Sequence, residues 1–346
     1  MGRPTIGDVA NEAGYSKATV SAVLNDVDTV KESTRRKINR VIDELNYRPR
    51  AAAQKGFRGN GNKSVGVIIK EKGSPYYSDV ISGVRSYVKK KGYTPVVASS
   101  EGKYKSEQQV VELFKSKDVD GLIIIPVVND ATDLSYLFKL KRRNFPFVLL
   151  EDIQGIQASL VDIDNVEATK MAASHLIENG HQHIVHFAGP EYSMHSEERI
   201  RGIREAFSES PMAFSDDLIV RAGAYLQDGY EVGKSFFQHI DADERPSAVL
   251  CYNDLIAIGL MRALRELEIS VPEEVSLIGC DNIEFAKYMS VPLTSIHIPK
   301  YEMGHRAAEI LLDQIESEEK VDPQQDYLQA ELVKQASSRP LEGVSA

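Results

Sequence analysis

At 346 residues the chain is long for one hydrophobic core and reads as two or three domains. Hydrophobic residues at 42% and charged residues at 27% are the proportions of an ordinary soluble protein, and no apolar run approaches the ~18–20 residues of a membrane span. The net charge of −10 is unevenly spread: residues 1–58 hold eleven Lys or Arg against seven Asp or Glu, whereas the remainder holds thirty against forty-four. That leaves +4 on the N-terminal piece and −14 on the body, a division that fits phosphate binding confined to one end but does not by itself prove it. No secretory leader is visible in Met1-Gly2-Arg3-Pro4, and Cys251 and Cys280, the only cysteines, read as a reduced cytosolic pair rather than a disulfide.

Ile6, Val9, Ala10 and Ala13 recur at three- and four-residue steps, one face of a first helix. Gly14 ends it, because glycine enters the left-handed conformation without penalty. Ser16 can accept from the orphan amides of a second helix whose apolar positions are Val20, Val23 and Leu24. A third helix runs from about Lys31 to Leu45, with Ile38, Val41, Ile42 and Leu45 inward, and Asn46-Tyr47-Arg48-Pro49 stops it. Two short helices joined by a glycine turn form either a plain helical hairpin or a helix-turn-helix, whose second helix enters the DNA major groove.

Residues 50–58 are alanine-rich but interrupted by Gly56, and Gly59-Asn60-Gly61-Asn62 follows, a linker and domain boundary. From Lys63 apolar runs alternate with amphipathic helices. Strands are expected at Ser64–Ile69, Pro95–Ala98, Gly121–Ile125 and Phe147–Leu150, with helices at Tyr76–Lys91, about 106–117 and 132–143. A second series begins near Ile163: helix 166–179, strand 183–188, helices 197–209 and 229–239, strand 248–252, helix 254–267 and strand 275–279. This βαβ alternation predicts two doubly wound parallel sheets with a cleft between them, and ligands bind outside the carboxyl ends of such strands.

The run Thr5-Ile6 … Asp8-Val9-Ala10 … Ala13-Gly14 … Ser16 … Thr19-Val20-Ser21 … Leu24-Asn25 … Thr34-Arg35 … Leu45-Asn46-Tyr47-Arg48-Pro49 resembles, in order and spacing, the headpiece of the LacI/GalR family of bacterial transcription regulators. Further matches are Val161-Asp162-Ile163-Asp164-Asn165, Glu198-Arg199-Ile200-Arg201-Gly202, Asn253-Asp254-Leu255, Gly279-Cys280-Asp281-Asn282 and Pro292-Leu293-Thr294-Ser295-Ile296. The resemblance covers residues 5 to 339. It implies an α/β protein: an N-terminal helix-turn-helix three-helix headpiece (1–48), a hinge and linker (49–62), and a two-lobed periplasmic-binding-protein-like core (63–346). Its N-subdomain would hold about 63–161 and 295–325, its C-subdomain about 162–292 and 326–346, with chain crossings near 161–164, 291–296 and 325–328.

A sugar needs aromatic stacking and charge-assisted hydrogen bonds in a dry cleft. Tyr76 and Tyr77 after the first strand, Arg199 opening a helix, and Asn253 and Asp281 following strands fit both that chemistry and the family pattern. Glu151 is a weaker candidate; His195 and Tyr252 flank the same region. On the DNA side, Lys17 can donate to guanine O6/N7 and Ala18 can touch a thymine methyl. Thr5, Ser16, Thr19, Ser21, Asn25, Thr34 and Tyr47 suit phosphates. The resemblance implies a hinge helix in the minor groove with Ala53 and a wedging apolar residue. Counting forward from Ala53 puts Gly56 at the wedge and counting back from Val65-Gly66 puts Phe57 there; Phe57 is the physically sound wedge.

The chain departs from the family at Ala22, where most members carry an arginine that reads a guanine, and at Cys280, where an aromatic is usual. Loss of the arginine contact removes about 1–3 kcal/mol of discrimination at that base. No phosphate loop, nucleophile elbow or metal-ligand spacing is present, and His181 and His183 read as a loop before a strand. No cofactor is expected. The expectation is a cytoplasmic, homodimeric, sugar-responsive transcription repressor, not an enzyme. The open alternative is a soluble sugar-binding receptor without DNA function, and for the effector a pentose, hexose, uronate or purine.

Overall fold

The computed structural model describes residues 4–24, 30–45, 47, 63–117, 119–128, 133–153, 155–191, 193–317, 319 and 321–341. The expected contacts Asn25, Ala53, Gly56 and Phe57 lie outside them. The first three helices are α1 (Ile6–Ala13), α2 (Lys17–Leu24) and α3 (Glu32–Glu44). Thr5 and Asp8 close a capping box at the start of α1, and Gly14 ends it at φ 71°. Ser16 Oγ accepts from the Thr19 N–H at 3.0 Å and so caps α2. Val9, Ala10, Ala13, Val20, Val23, Ile38, Val41 and Tyr47 are buried together as a small separate core.

The rest is two six-stranded sheets. The first contains β1 (Ser64–Ile69), β2 (Thr94–Ser99), β3 (Gly121–Ile124), β4 (Phe147–Leu149) and β5 (Ser159–Ile163), interleaved with α4 (Pro75–Lys90), α5 (Tyr104–Ser116) and α6 (Ser135–Arg142). The second contains β6 (Ile184–Ala188), β7 (Ile219–Arg221), β8 (Ala248–Cys251), β9 (Ser276–Asp281) and β10 (Thr294–His297), with α7 (Asn165–Glu178), α8 (Met194–Ser208), α9 (Leu226–Gln238) and α10 (Asp254–Glu266). The chain returns through α11 (Lys300–Glu316) and β11 (Gln325–Leu328) and ends in β12 (Glu331–Val333). Strand order is β11-β5-β4-β3-β1-β2 in one lobe and β12-β10-β9-β8-β6-β7 in the other. Pairing is parallel except at β10–β12.

Alternate residues of each central strand feed opposite layers, as a two-residue period requires. Val65, Val67 and Ile69 join one core, whereas Ile68, with Leu122 and Ile124, joins another. Because both faces are covered, these strands read as unbroken apolar runs. Strand β7, outside the expected strands, is a three-residue edge strand, half-exposed.

The last two crossings fall later than expected. Thr294–His297 pairs with β9, so the second crossing follows His297 rather than lying at 291–296. Gln325–Leu328 pairs with β5, so the third follows Leu328. Residues 295–297 therefore belong to the second lobe and 326–328 to the first. Apolar pattern alone reports that a strand exists, not which sheet it joins.

Helices α4 and α11 cross at reciprocal glycines. A Cβ at Gly83 would stand 2.0 Å from the Tyr301 carbonyl oxygen, and one at Gly304 2.0 Å from that of Val80. Their backbones touch there.

Candidate functional site: the interlobe cleft and the helix-turn-helix

The carboxyl ends of β1, β4, β5, β8 and β9 face one region, and the residues that follow them meet there. Lys70, directly after β1, forms a buried ion pair with Glu151, which follows β4. The other Glu151 oxygen accepts from the Met194 backbone N–H at 2.8 Å, at the start of α8 in the opposite lobe. Beside it, His195 Nε2 lies 3.0 Å from Asp162 Oδ2 on β5. Burial works against charge at Lys70, Glu151 and His195. Lys70 and His195 nonetheless outweigh it and hold the Glu151 carboxyl below its ordinary value, and Asp162 and Glu151 outweigh it to raise His195. The result is a chain of alternating charges that joins the two lobes.

Arg199, one turn into α8, is buried and held by neutral acceptors. Its Nε donates to Asn165 Oδ1 at 3.2 Å, its Nη1 donates to the Tyr252 carbonyl, and its guanidinium lies 4.8 Å from the Tyr252 ring centroid. Asp281, at the end of β9, is also buried, and among the described residues nothing donates to its carboxylate. Burial raises the Asp281 carboxyl while Arg199 and Lys300 pull it down. Buried Asp254 is raised further, because the Asp281 charge adds to its desolvation. Asp281 and Asn282 have φ of 111° and 49°, non-glycine strain of about 1–3 kcal/mol each. Lys300 Nζ donates to the Asp281 carbonyl and the Asn282 N–H donates to Ser295 Oγ at 3.0 Å, which hold that turn.

Tyr76 and Tyr77 meet edge to face, centroids 5.2 Å apart. Tyr76 reaches Met303 Sδ at 3.8 Å and lies in the field of Asp281 and Arg199. Tyr77 donates to Glu71 at 3.0 Å, on the Lys70 side. Burial pushes both phenols well above their ordinary value, so both stay protonated donors. Asn253 has a structural role: its Oδ1 accepts from the Ile256 N–H at 2.9 Å and its Nδ2 donates to the Ala224 carbonyl at 3.0 Å. It is the N-cap of α10 and a tether to the loop before α9.

In the headpiece, Lys17 and Ala18 are exposed on the first turn of α2, and Ala22 lies half-buried one turn further. Ser16 and Thr19 bond to one another at 2.8 Å at the same helix start. Thr5 is occupied by its capping box with Asp8. Tyr47, also expected at a phosphate, is more buried than these residues. At 6% exposure its ring is part of the headpiece core, packed just beyond the end of α3.

Residues 5–50 match the model of the bacterial regulatory proteins, lacI family, and residues 173–338 that of the periplasmic binding protein-like domain. The HTH-type transcriptional repressor PurR of Vibrio atlanticus is 36% identical over 318 residues, which cover 91% of this chain and 93% of that one. The chain belongs to the LacI family of bacterial regulatory proteins. PurR of Photobacterium profundum is 32% identical over 314 residues, covering 90% and 92%. Among solved structures, the transcriptional regulator CelR in complex with cellobiose superposes with a TM-score of 0.72 at 28% identity, covering 97% of this chain and all of that one. A LacI family regulator from Enterococcus faecium with bound ribose gives 0.70 at 26%, covering 81% and 100%.

This LacI-family chain is thus a DNA-binding transcription repressor and not an enzyme. Of the five expected effector residues, Arg199, Asp281 and Tyr76 are brought together, Tyr77 lies beside them, and Asn253 caps α10. Lys70, Asp162 and Asn165 went unassigned as cleft residues. Each follows or ends a strand, which is the positional signal that marked the others. Lys70 carried no further cue, since an isolated lysine after a strand reads as solvated. Among the described residues no group of His, Cys, Asp and Glu could hold a metal ion. His181 is instead a buried link between Ser247 and the Arg339 carbonyl, 3.0 Å to each.

Proposed function

We propose that this repressor binds a near-palindromic operator as a homodimer in the cytoplasm, and that a small-molecule effector, a sugar or sugar derivative, governs it from the interlobe cleft. The division is a headpiece at 1–48, a hinge and linker at 49–62 and an effector-binding core at 63–346. The observation that carries the effector reading is the meeting of two unlike groups in the cleft wall. Asp281 is a buried acceptor without a donor among the described residues, and it sits in the field of Arg199, whose bonds go only to neutral oxygens. A ligand whose adjacent hydroxyls donate to one and accept from the other satisfies both. Tyr76 supplies the ring face. The complexes of CelR with cellobiose and of the Enterococcus faecium regulator with ribose support the sugar class.

Two headpieces in one dimer would read half-sites about one helical turn apart. The free edge of the first sheet suits a second copy, since Val96 and Val97 on β2 are 40% and 41% exposed. Effector binding acts through the equilibrium between lobe arrangements, and it shifts that equilibrium only by its difference in affinity for the two. A ligand favouring the DNA-free arrangement induces, and one favouring the DNA-bound arrangement corepresses. The test is binding of the purified chain to its own upstream DNA at two salt concentrations, with a panel of sugars at fixed salt. Binding that falls steeply with salt and changes with one sugar supports the reading. Sugar binding with no DNA binding would favour a receptor.

A further inference from the structure

We propose that Lys17 is a phosphate-positioning residue of the headpiece rather than a base reader, and that Gly7 and Asp8 of the first helix place it there. The lysine opens α2, but its side chain does not run forward along that helix. It turns back over the first turn of α1: a Cβ at Gly7 would lie 3.2 Å from Lys17 Cε and 3.5 Å from Nζ. The space that any other residue would fill at position 7 is therefore occupied by the lysine stem. Thr5 Oγ1 closes the same spot, 3.3 Å from that point. Asp8, one residue on, accepts from the Thr5 N–H at 2.6 Å and from the Thr5 hydroxyl at 2.7 Å. Those bonds, and after them the Lys17 charge, hold its carboxyl below the ordinary value.

In helix-turn-helix docking the first helix crosses the DNA backbone while the first residues of the second reach base edges. An ammonium folded back onto α1 lies on the backbone side of that division. It also offsets the Asp8 carboxylate, which would otherwise repel the phosphates passing that helix start. Lysine suits this task, being a compact point charge without the fork geometry that reads guanine best. Base contact at the front of the helix then falls to the methyl groups of exposed Ala18 and half-buried Ala22. A methyl surface favours the thymine C5 methyl, so the half-site carries A·T pairs at those two positions.

The inference rests on the operator reading above and is tested separately from it. The wild-type full-length protein selects duplexes from a random-sequence pool. Lys17→Ala and Gly7→Leu are then measured on the selected duplex and on its single-base variants across a salt series. Lys17→Ala is expected to weaken every duplex by the same factor and to lower the salt slope by about one unit per headpiece. Gly7→Leu, which displaces the stem, is expected to do the same. Lys17→Ala that loses discrimination at one base pair, with the slope unchanged, overturns the inference, as does Gly7→Leu with wild-type affinity and slope. If the wild type selects no sequence, the operator reading falls and takes this inference with it, a result distinct from either variant's behaviour.

Discussion

The backbone N–H of Met194 in one lobe donates to the Glu151 carboxylate of the other at 2.8 Å. That single bond couples a helix start to a buried ion pair, because the second Glu151 oxygen is held by Lys70. A carboxylate at a helix N-terminus is stabilised by the helix dipole, and one already neutralised by lysine enters a buried boundary at lower desolvation cost. The lobes are thus joined by a charge network as well as by three chain crossings.

Removing one member of that network should be far worse than removing both. Lys70→Met leaves Glu151 buried with only the Met194 amide and the more distant His195 to offset its charge, and is expected to cost about 3–5 kcal/mol. The double variant Lys70→Met, Glu151→Leu should recover most of the loss. Chemical denaturation of all three proteins measures the difference, and a double variant no better than the single would refute the account.

His195 makes the boundary sensitive to pH. Its pKa is raised in the folded chain by Asp162 and Glu151, against burial. A raised value means that its contribution is complete below the unfolded value of about 6.5 and fades as pH climbs through the folded value. The unfolding free energy of the wild type should therefore exceed that of His195→Gln most at about pH 5.5 and least at about pH 8.5. A gap that widens with rising pH would contradict this direction.

Asp281→Asn keeps the shape of the cleft wall but removes a charged acceptor. Hydrogen bonds to charged groups are worth about 1.5–3 kcal/mol, so effector affinity should fall by roughly 10- to 100-fold. Arg199→Lys loses the guanidinium fork and its stacking on Tyr252 and should also weaken the effector. Neither change touches the headpiece. Calorimetric titration with the effector, beside DNA binding in its absence, should show a defect in the first measurement alone.

Gly83→Ala tests the contact between α4 and α11. The added methyl would stand 2.0 Å from the Tyr301 carbonyl, so the helices must separate. Overpacking of this kind costs about 1–3 kcal/mol or more, and the core should melt several degrees lower. An exposed alanine substitution elsewhere on α4, such as Ser78→Ala, should leave melting nearly unchanged.

Much of this architecture was legible residue by residue. Ile6, Val9, Ala10 and Ala13 with Gly14 marked α1 and its end, since period, cap and left-handed stop all act within one or two turns. The central strands β1, β3 and β4 were visible as apolar runs because both their faces are buried. Strand β7 was not, being short and at an edge, and the crossings after β10 and β11 were misplaced because nothing in Thr294–His297 or Gln325–Leu328 names a partner strand. Asn253 was read as a ligand grip on the strength of its place after β8. Its amide also accepts from the Ile256 N–H and donates to the Ala224 carbonyl. Side-chain chemistry told what it can bond, not what reaches it first.

The sequence by itself determined the family, most of the helices and central strands as far as β9, the basic headpiece on an acidic body, and the placement of Arg199 at a helix start and Asp281 at a strand end. Those properties follow from local periodicity, caps, composition and ordered motifs. Only the tertiary structure decided that Lys70 meets Glu151, 81 residues on, that His195 meets Asp162, and that the Lys17 stem lies over Gly7. Parallel sheets gather the carboxyl ends of strands that are remote along the chain, and two short helices cross at an angle that neither encodes alone. Contacts of that kind depend on how separate elements pack, a property with no period or spacing to read.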